Sequence, residues 1–224
     1  MTERPVTQRG RPRSEVARLA ILVATTEVLL ERGLADTNMD VVAERAGVGK
    51  ATIYRWWPSK EALALEALYH SWAAAVPDEP DTGSLRGDLA ALLLPWTRRL
   101  RTRPYGRIIA AFITEAQTNS EFEKEYHARF VRPRREQARA AIRRAADRGE
   151  IPADTNVELT LDLLYGPLYH RLLHQHAPLS DRFVTDVVDA VLSAISPERQ
   201  AVMVRARARA RARARGDHNR VRIP

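Results

Sequence analysis

The stretch that decides the fold spans residues 47–60 and has the sequence GVGKATIYRWWPSK. It follows a helix predicted over residues 39–46 and contains a second helix predicted over residues 50–56. Gly47 suits the left-handed residue that ends a helix. Two short helices joined by a tight glycine turn are the helix-turn-helix arrangement, whose second helix enters the major groove of DNA. The stretch therefore predicts a DNA-binding head.

Helix-start and helix-stop residues support this arrangement on both sides. Thr37, with Asp40 three residues later, resembles a capping box at the start of the first short helix. Ser59 is a good N-cap for a helix that follows the second one. Upstream, apolar residues recur at helical spacing between residues 14 and 32, and Gly33 follows them. A head of three helices, followed by a connecting helix, is therefore predicted.

Side chains of the second short helix, and Lys60 at the start of the next helix, supply groups that can contact DNA. Thr52, Tyr54 and Lys60 offer hydroxyl and ammonium donors for phosphate oxygens. Lys50 and Arg55 can donate to guanine, and Ala51 can contact the methyl group of thymine. We therefore predict that these six residues contact DNA.

The motifs of the head resemble those of one family. The strings DVVAERAGV (40–48), TIY (52–54) and WPSKEAL (57–63) are similar to the N-terminal domain of the TetR/AcrR transcriptional regulators, and the resemblance covers residues 11–72. The family usually has a small polar residue where this chain has Gly49. A side-chain cap is therefore missing on the second short helix (residues 50–56), the recognition helix that enters the major groove. The resemblance implies that Trp57 fills the core of the head, while Trp56 is either core or partly exposed.

The rest of the chain shows only helical signals, so the predicted fold class is all-α with about nine helices. Beyond the head, helices are predicted over residues 59–76, 84–101, 105–119, 120–149, 156–175 and 180–195. Pro95, Pro133 and Gly166-Pro167 interrupt three of them, which predicts kinks or breaks. The predicted organisation is a basic disordered arm (1–13), the DNA-binding head (14–58), a connecting helix (59–76), an effector-binding and dimerisation domain built as a helical bundle (77–197) and an Arg/Ala-rich disordered tail (198–224).

The last two predicted helices resemble, more loosely, the segments through which family members dimerise. A two-fold dimer also has a physical reason, because one head contacts too few base pairs and a second head doubles the site. The candidates for the dimer interface are Leu161, Leu164, Leu168, Leu172, Phe183, Val187 and Val191. The alternative is that each is ordinary core within one chain.

The family also binds small effectors in this region, so aromatic and polar residues within the apolar helices are candidates for a pocket. They are Trp96, Tyr105, Phe112, Glu115, Tyr165, Tyr169 and His170. The alternative for each is a core or surface role. His170, His174 and His176 are explained by a surface position near a helix C-terminus, so no metal site is predicted.

The net charge of +8 is concentrated at the two ends of the chain. Residues 1–13 have a net charge of +3 and residues 198–224 a net charge of +7, so the rest of the chain is close to neutral at −2. Arg9, Arg11 and Arg13 resemble an AT-hook segment, which inserts arginines into the minor groove. A solubilising arm is the alternative for these arginines. The Arg/Ala tail either attracts phosphates without specificity or is a low-complexity terminus without function.

Several classes of protein are excluded by what the sequence lacks. Cysteine is absent, which rules out disulfides and thiolate metal sites and suits the cytoplasm. No apolar run has the length of a membrane span, so no membrane partner is predicted, and no catalytic motif or cofactor motif is present. By resemblance, the chain is expected to be a repressor that binds a palindromic double-stranded DNA operator as a homodimer and is released by an unknown small-molecule effector. The alternative is an architectural, nucleoid-associated DNA-binding protein with little sequence preference.

Overall fold

The computed structural model of the chain describes residues 11–73 and 79–198, and within them every regular element is a helix. The helices are α1 (Arg11–Arg32), α2 (Met39–Ala46), α3 (Lys50–Tyr54), α4 (Lys60–Ala73), α5 (Leu85–Arg101), α6 (Arg103–Ala116), α7 (the consecutive segments Ser120–Tyr126, His127–Val131 and Arg132–Asp147), α8 (Val157–His174) and α9 (Asp181–Ile195). The predicted all-α class is confirmed, and the described part of the chain contains nine helices.

The core of the head forms where α1 packs against α2 and α4. Ile21 and Leu29 of α1 are buried, as expected from their helical spacing. They share the core with Val42 of α2, Ile53 of α3 and Leu63 of α4, all fully buried. The short helix α3 buries a single large apolar residue, so Ile53 is its anchor to the head.

The turn between α2 and α3 has the conformation that the sequence predicts. Gly47 is left-handed with φ 65°, and the N–H of Val48 donates to the carbonyl of Ala43 at 3.0 Å. This bond satisfies a carbonyl that the end of α2 leaves open. Glycine is needed at this position because a side chain strains a left-handed backbone.

The predicted start of α2 at Thr37 is wrong by one residue. Asn38 is the N-cap, and its Oδ1 accepts a hydrogen bond from the N–H of Asp40 at 2.9 Å. The Thr37 hydroxyl instead donates to the carbonyl of Gly33 at 2.6 Å and closes the turn after α1. Both residues carry a capping oxygen, and the path of the preceding turn decides which one is used. Ser59 caps α4 as predicted, because its Oγ accepts from the N–H of Ala62 at 3.2 Å.

The proline-containing helices differ in how they accommodate the ring. Kinks or breaks were predicted at the prolines. Helix α5 continues through Pro95 and α8 continues through Pro167, so neither helix is broken there. In α7, Pro133 comes just after the π-helical turn His127–Val131. Proline cannot donate to the carbonyl of the residue four positions earlier, and here that residue lies in the π-helical turn.

The chain divides into two compact units. The described part of unit 1 consists of residues 11–73 and 99–133, and that of unit 2 consists of residues 79–98 and 134–198. Residues 99–133 therefore pack in the same unit as the head, although the sequence assigns them to the effector domain. The division by expected role remains a prediction, and it does not coincide with the division by packing.

Unit 1 contains an aromatic cluster beneath the head. Phe112 of α6 is fully buried and makes edge-on contacts with Phe122, Tyr126 and Phe130 of α7, at ring-centroid distances of 5.4, 6.3 and 6.3 Å. Trp72 of α4 joins the cluster through Phe130 at 5.7 Å. These contacts hold α4, α6 and α7 together, because edge-on aromatic pairs are favourable beyond the area that they bury.

Unit 2 is built on the packing of α8 against α9, reinforced by ion pairs to neighbouring helices. Its core includes Leu161 and Leu164 of α8 and Val184 and Val188 of α9. The further ties are Arg86–Asp189 at 2.7 Å, Arg98–Asp181 at 2.6 Å and Arg135–Glu158 at 2.8 Å. No helix among the described residues is long and apolar enough to cross a membrane.

Candidate nucleic-acid interface

Three of the predicted DNA contacts lie around one concavity of the head. Lys50 and Tyr54 of α3 and Lys60 of α4 line a cavity of about 440 Å³ together with residues 35–39. Two ammonium groups and a phenol hydroxyl therefore lie around one opening. All three groups can donate hydrogen bonds to phosphate oxygens.

The other side chains of α3 that were predicted to contact DNA are also accessible. Ala51 and Arg55 are exposed and Thr52 is half-buried, while 49% of Tyr54 is exposed. Gly49 is the N-cap of α3 and makes no side-chain hydrogen bond, as predicted. The N–H of Thr52 instead donates to the Gly49 carbonyl at 2.8 Å, which closes the first turn of the helix through the backbone alone.

The head holds Lys60 in position through backbone contacts. Its Nζ donates to the carbonyls of Leu34 and Ala35 at 3.3 and 3.0 Å. A lysine ammonium has three N–H donors, so two bonds fix its position and one donor remains for DNA. The sequence predicts the phosphate role of Lys60 but not these two carbonyl partners.

Lys50 is held by a carboxylate that the sequence suggested only as a helix-start residue. Its Nζ lies 2.8 Å from Oδ1 and 3.0 Å from Oδ2 of Asp40. The hydrogen bond to Asp40 raises the pKa of Lys50, so the ammonium remains charged. Asp40 and Lys50 lie on opposite sides of the glycine turn, and no periodic signal in the sequence connects them. The ammonium of Lys50 on the recognition helix is therefore paired with Asp40 in the absence of DNA.

Glu66 of α4 connects three parts of the head. Its Oε2 accepts from the indole N–H of Trp57 at 2.9 Å, and its Oε1 accepts from the guanidinium of Arg18 on α1. Trp57 is buried, which confirms that it fills the core, whereas 38% of Trp56 is exposed. Glu66 thus fixes the segment that follows the recognition helix. The local sequence pattern does not predict this role, because both contacts join different elements of the head.

Helix α1 begins within the segment that was predicted to be a disordered N-terminal arm. Arg9 lies outside the described residues. The backbone of Arg11 and Arg13 is helical, because α1 begins at Arg11 rather than at Ser14. Both residues were predicted to belong to a disordered arm over residues 1–13, and the structure corrects that prediction for these two positions. The physical reason is that a proline at position 12 is tolerated in the first turn of a helix, where its missing N–H has no partner to lose.

Four of the seven predicted pocket residues lie in unit 2. Trp96 makes edge-on contacts with Tyr165 at 5.7 Å and Tyr169 at 5.6 Å, and the guanidinium of Arg134 lies 4.6 Å from its ring centroid. Burial raises the pKa of Tyr165, so its hydroxyl stays protonated and donates to the carbonyl of Arg134 at 3.0 Å. These three aromatic residues form one cluster.

His170, the fourth of these residues, is exposed on α8. Its ring lies 4.5 Å from that of His174 and 4.9 Å from that of His176. The described residues include no group of three or more histidine and acidic side chains arranged to hold a metal ion.

The remaining three predicted pocket residues lie in unit 1. Phe112 is the centre of the aromatic cluster described above, so the structure places it in the core. The hydroxyl of Tyr105 accepts a hydrogen bond from Arg99 at 3.1 Å, and Glu115 accepts one from the Asn119 side chain at 3.0 Å. The structure therefore places the seven residues in two separate units.

The residues predicted for a dimer interface are mostly core residues of the single chain. Six of them are buried without a second copy, namely Leu161, Leu164, Leu168, Leu172, Val187 and Val191. Phe183 is half-buried, and the guanidinium of Arg171 lies 3.2 Å from its ring centroid. Buried side chains have no surface to offer a partner, so the structure favours the core alternative for these six.

Comparison with known proteins agrees with this architecture. Residues 21–67 match the family described as "Bacterial regulatory proteins, tetR family", and residues 79–191 match "Tetracyclin repressor-like, C-terminal domain". The chain is 37% identical over 181 residues to the HTH-type transcriptional regulator YdeS of Bacillus subtilis, covering 81% of this chain and 90% of that protein. It is 33% identical to the DNA-binding transcriptional repressor TetR of Mycobacteroides abscessus, covering 80% and 94%.

A solved structure shows the same likeness in three dimensions. The TetR family transcription regulator SCO0332 superposes with a TM-score of 0.67 at 39% identity, covering 81% of this chain and 99% of that one. The two family matches lie on the head and on the region after it. Together with the helix-turn-helix, they show that this chain is a DNA-binding transcriptional regulator of the TetR family and not an enzyme.

Proposed function

We propose that the protein is a cytoplasmic, nucleoid-associated repressor that binds a palindromic operator as a homodimer and leaves it when a small molecule binds. The observation that carries the proposal is the shared concavity of Lys50, Tyr54 and Lys60 beside an accessible recognition helix. The Mycobacteroides abscessus relative, whose name states repression, supports the direction of regulation.

In the proposed complex, phosphate contacts position the head and α3 contacts the bases. Lys60 and Tyr54 bind the backbone, with Thr52 beside them at the start of α3. Lys50, Ala51 and Arg55 face base edges, where an ammonium or guanidinium can donate to guanine and a methyl group can contact thymine. To contact DNA, Lys50 must first break its ion pair with Asp40. Part of the free energy of the contact between Lys50 and DNA therefore offsets the loss of that ion pair.

The proposed dimer uses a different face of α8 from the one predicted by the sequence. Leu159, Leu163, Gly166, His170 and Leu173 are all exposed and follow the alternating spacing of four and three residues that defines one helical face. Leucines exposed along one helical face are unfavourable in water. In the proposed dimer, the same face of a second copy covers them. A two-fold axis then brings the two heads to two half-sites.

Release by an effector requires that the ligand bind one arrangement of the dimer better than the other. The aromatic cluster of Trp96, Tyr165 and Tyr169 is the part of unit 2 that we propose for the effector. Helix α4 begins at Lys60, directly after its cap Ser59, so a change in the position of α4 alters the DNA contacts. No cofactor or metal is needed for this switch.

Selection of bound sequences from a random DNA pool, with the full-length chain, tests the regulator function. We expect a palindrome whose half-sites are separated by about one helical turn or a multiple of it. Light scattering of the complex is expected to show an even number of chains per duplex. Recovery of sequences without a shared motif would replace the regulator with an architectural DNA-binding protein.

A further inference from the structure

A second cavity of unit 1 lies between residues 56–59, which follow the recognition helix α3, and the first turns of α7. It has a volume of about 410 Å³, within the range of small-molecule sites. Trp56, Trp57, Pro58 and Ser59 line one part of it, between the end of α3 and the start of α4. None of the seven residues predicted for the effector pocket lines this cavity.

Aromatic side chains form most of the apolar part of the lining, together with Ala62 and Leu65. Trp57 and Phe122 are buried and Trp57 is hydrogen-bonded to Glu66, so packing and a polar contact hold these walls in place. Trp56 keeps 38% of its surface exposed, which leaves ring area available to a ligand. The ring already attracts a cation, because the guanidinium of Arg18 lies 5.9 Å from it.

Carboxylates dominate the charged part of the lining. Glu66, Glu121 and Glu125 line the cavity, and Arg129 is the cation among its lining residues. Arg129 pairs with Glu125 at 3.0 Å, and Glu66 accepts from Arg18. Glu121 lies exposed in the first turn of α7, where its carboxylate adds negative charge at the rim.

We propose that this cavity binds a small organic cation with an apolar body. The body packs on Trp56 and Phe122, and the ammonium or amidinium group lies between the indole of Trp56 and the carboxylate of Glu121. An uncharged ligand lacks the attraction of the carboxylates, and an anion is repelled by them. The site is separate from the effector site proposed above, so it gives the protein a second ligand.

An occupant contacts the segment that joins the recognition helix to α4. That segment contains Trp57, which Glu66 fixes, and Ser59, which caps α4. A ligand that binds one arrangement of this segment better than another changes the position of α3 relative to Lys60, and therefore changes DNA affinity.

Three compounds with the same apolar body and different charge test the proposal: 1-adamantylammonium, 1-adamantanol and adamantane-1-carboxylate. Calorimetric titration of the full-length chain measures their binding without DNA, so the result does not depend on the proposed repressor function. We expect the ammonium compound to bind best and the carboxylate to bind worst.

Variants then place the binding in this cavity. Glu121→Gln and Trp56→Leu are each expected to weaken the ammonium compound by about threefold or more, the size of an exposed ion-pair or cation–π contact. Glu123→Gln is the matched control, because Glu123 is exposed in the same turn of α7 but does not line the cavity. Thermal unfolding of each variant confirms that it is folded.

Equal binding of the three compounds would overturn the charge preference. The site itself would be overturned if the ammonium compound does not bind at millimolar concentration, or if Glu121→Gln and Trp56→Leu bind it as the unchanged protein does.

Discussion

At the scale of single residues, the two lysines of the head are placed by different partners. Lys60 contacts two backbone carbonyls, which carry no net charge and do not compete strongly with a phosphate. Lys50 contacts a carboxylate, which does compete. Two lysines with similar sequence signals are therefore expected to behave differently when DNA binds.

Lys60→Ala and Tyr54→Phe are expected to weaken binding to operator and random DNA alike, because both groups are proposed to contact phosphates rather than bases. For Lys60→Ala, the slope of log affinity against log salt should fall by about 1. Fluorescence anisotropy over a range of salt concentrations measures both effects. Lys124→Ala, at an exposed lysine on α7, is the control and should leave the slope unchanged. An unchanged slope in Lys60→Ala would contradict the phosphate assignment.

Asp40→Asn is expected to strengthen DNA binding, because it frees Lys50 and removes a negative charge that repels phosphates. The gain should be about two- to fivefold, as for an exposed ion pair. Glu44→Gln, at an exposed carboxylate on the same helix, controls for the change in net charge. If Asp40→Asn has the same effect in a Lys50→Ala background, the ion pair is not responsible.

At the scale of helices, Glu66 and Phe112 each hold neighbouring elements of unit 1 together. Glu66 joins α4 to α1 and to the exit of the recognition helix. Phe112 joins α6 to α7. Neither residue belongs to the proposed DNA surface, so substitutions should act through position and stability.

Glu66→Ala is expected to lower the free energy of unfolding by about 1–3 kcal/mol, because the Trp57 indole and the Arg18 guanidinium lose their acceptor. Operator affinity should fall with it, since Trp57 no longer fixes the end of α3. Urea unfolding and DNA titration measure the two quantities, with Glu61→Gln as a control on the same helix. Full operator affinity in a folded Glu66→Ala variant would show that the network does not position α3.

Phe112→Ala is expected to destabilise the protein by about 3–5 kcal/mol, since Phe112 is fully buried among aromatic rings and the substitution leaves a cavity. The sequence instead suggests a pocket wall, for which a loss of effector response with little loss of stability is expected. Thermal and urea unfolding distinguish the two. A variant with nearly unchanged stability would favour the pocket role.

At the scale of the whole molecule, the exposed leucines of α8 determine the proposed assembly. Leu163→Asp is expected to shift the protein from dimer to monomer, because a charge cannot be buried without a partner in an apolar interface. Light scattering at micromolar concentration measures the mass. Val23→Asp on α1 is the control, since Val23 is also an exposed apolar residue but lies in the head. A Leu163→Asp dimer would place the interface elsewhere.

The local features of the fold could be predicted from the sequence, because they depend on neighbours in the chain. The helices α2 and α5 to α9 lie within a few residues of their predicted positions, the left-handed Gly47 ends α2, and Ser59 caps α4. Each depends on hydrogen bonds or apolar spacing within about one turn of helix. The DNA-contact candidates follow from the same stretch and from its family resemblance.

Other features were decided only by the tertiary structure. Lys50 with Asp40, and Glu66 with Arg18 and Trp57, are contacts between elements, and sequence spacing does not specify them. The grouping of residues 99–133 with the head has the same origin. In α8, leucines occur on more than one face, so periodicity shows that the helix is apolar but does not distinguish the core face from the exposed one. Packing within unit 2 makes that choice, because Leu161, Leu164 and Leu168 are buried there while Leu159, Leu163 and Leu173 are exposed.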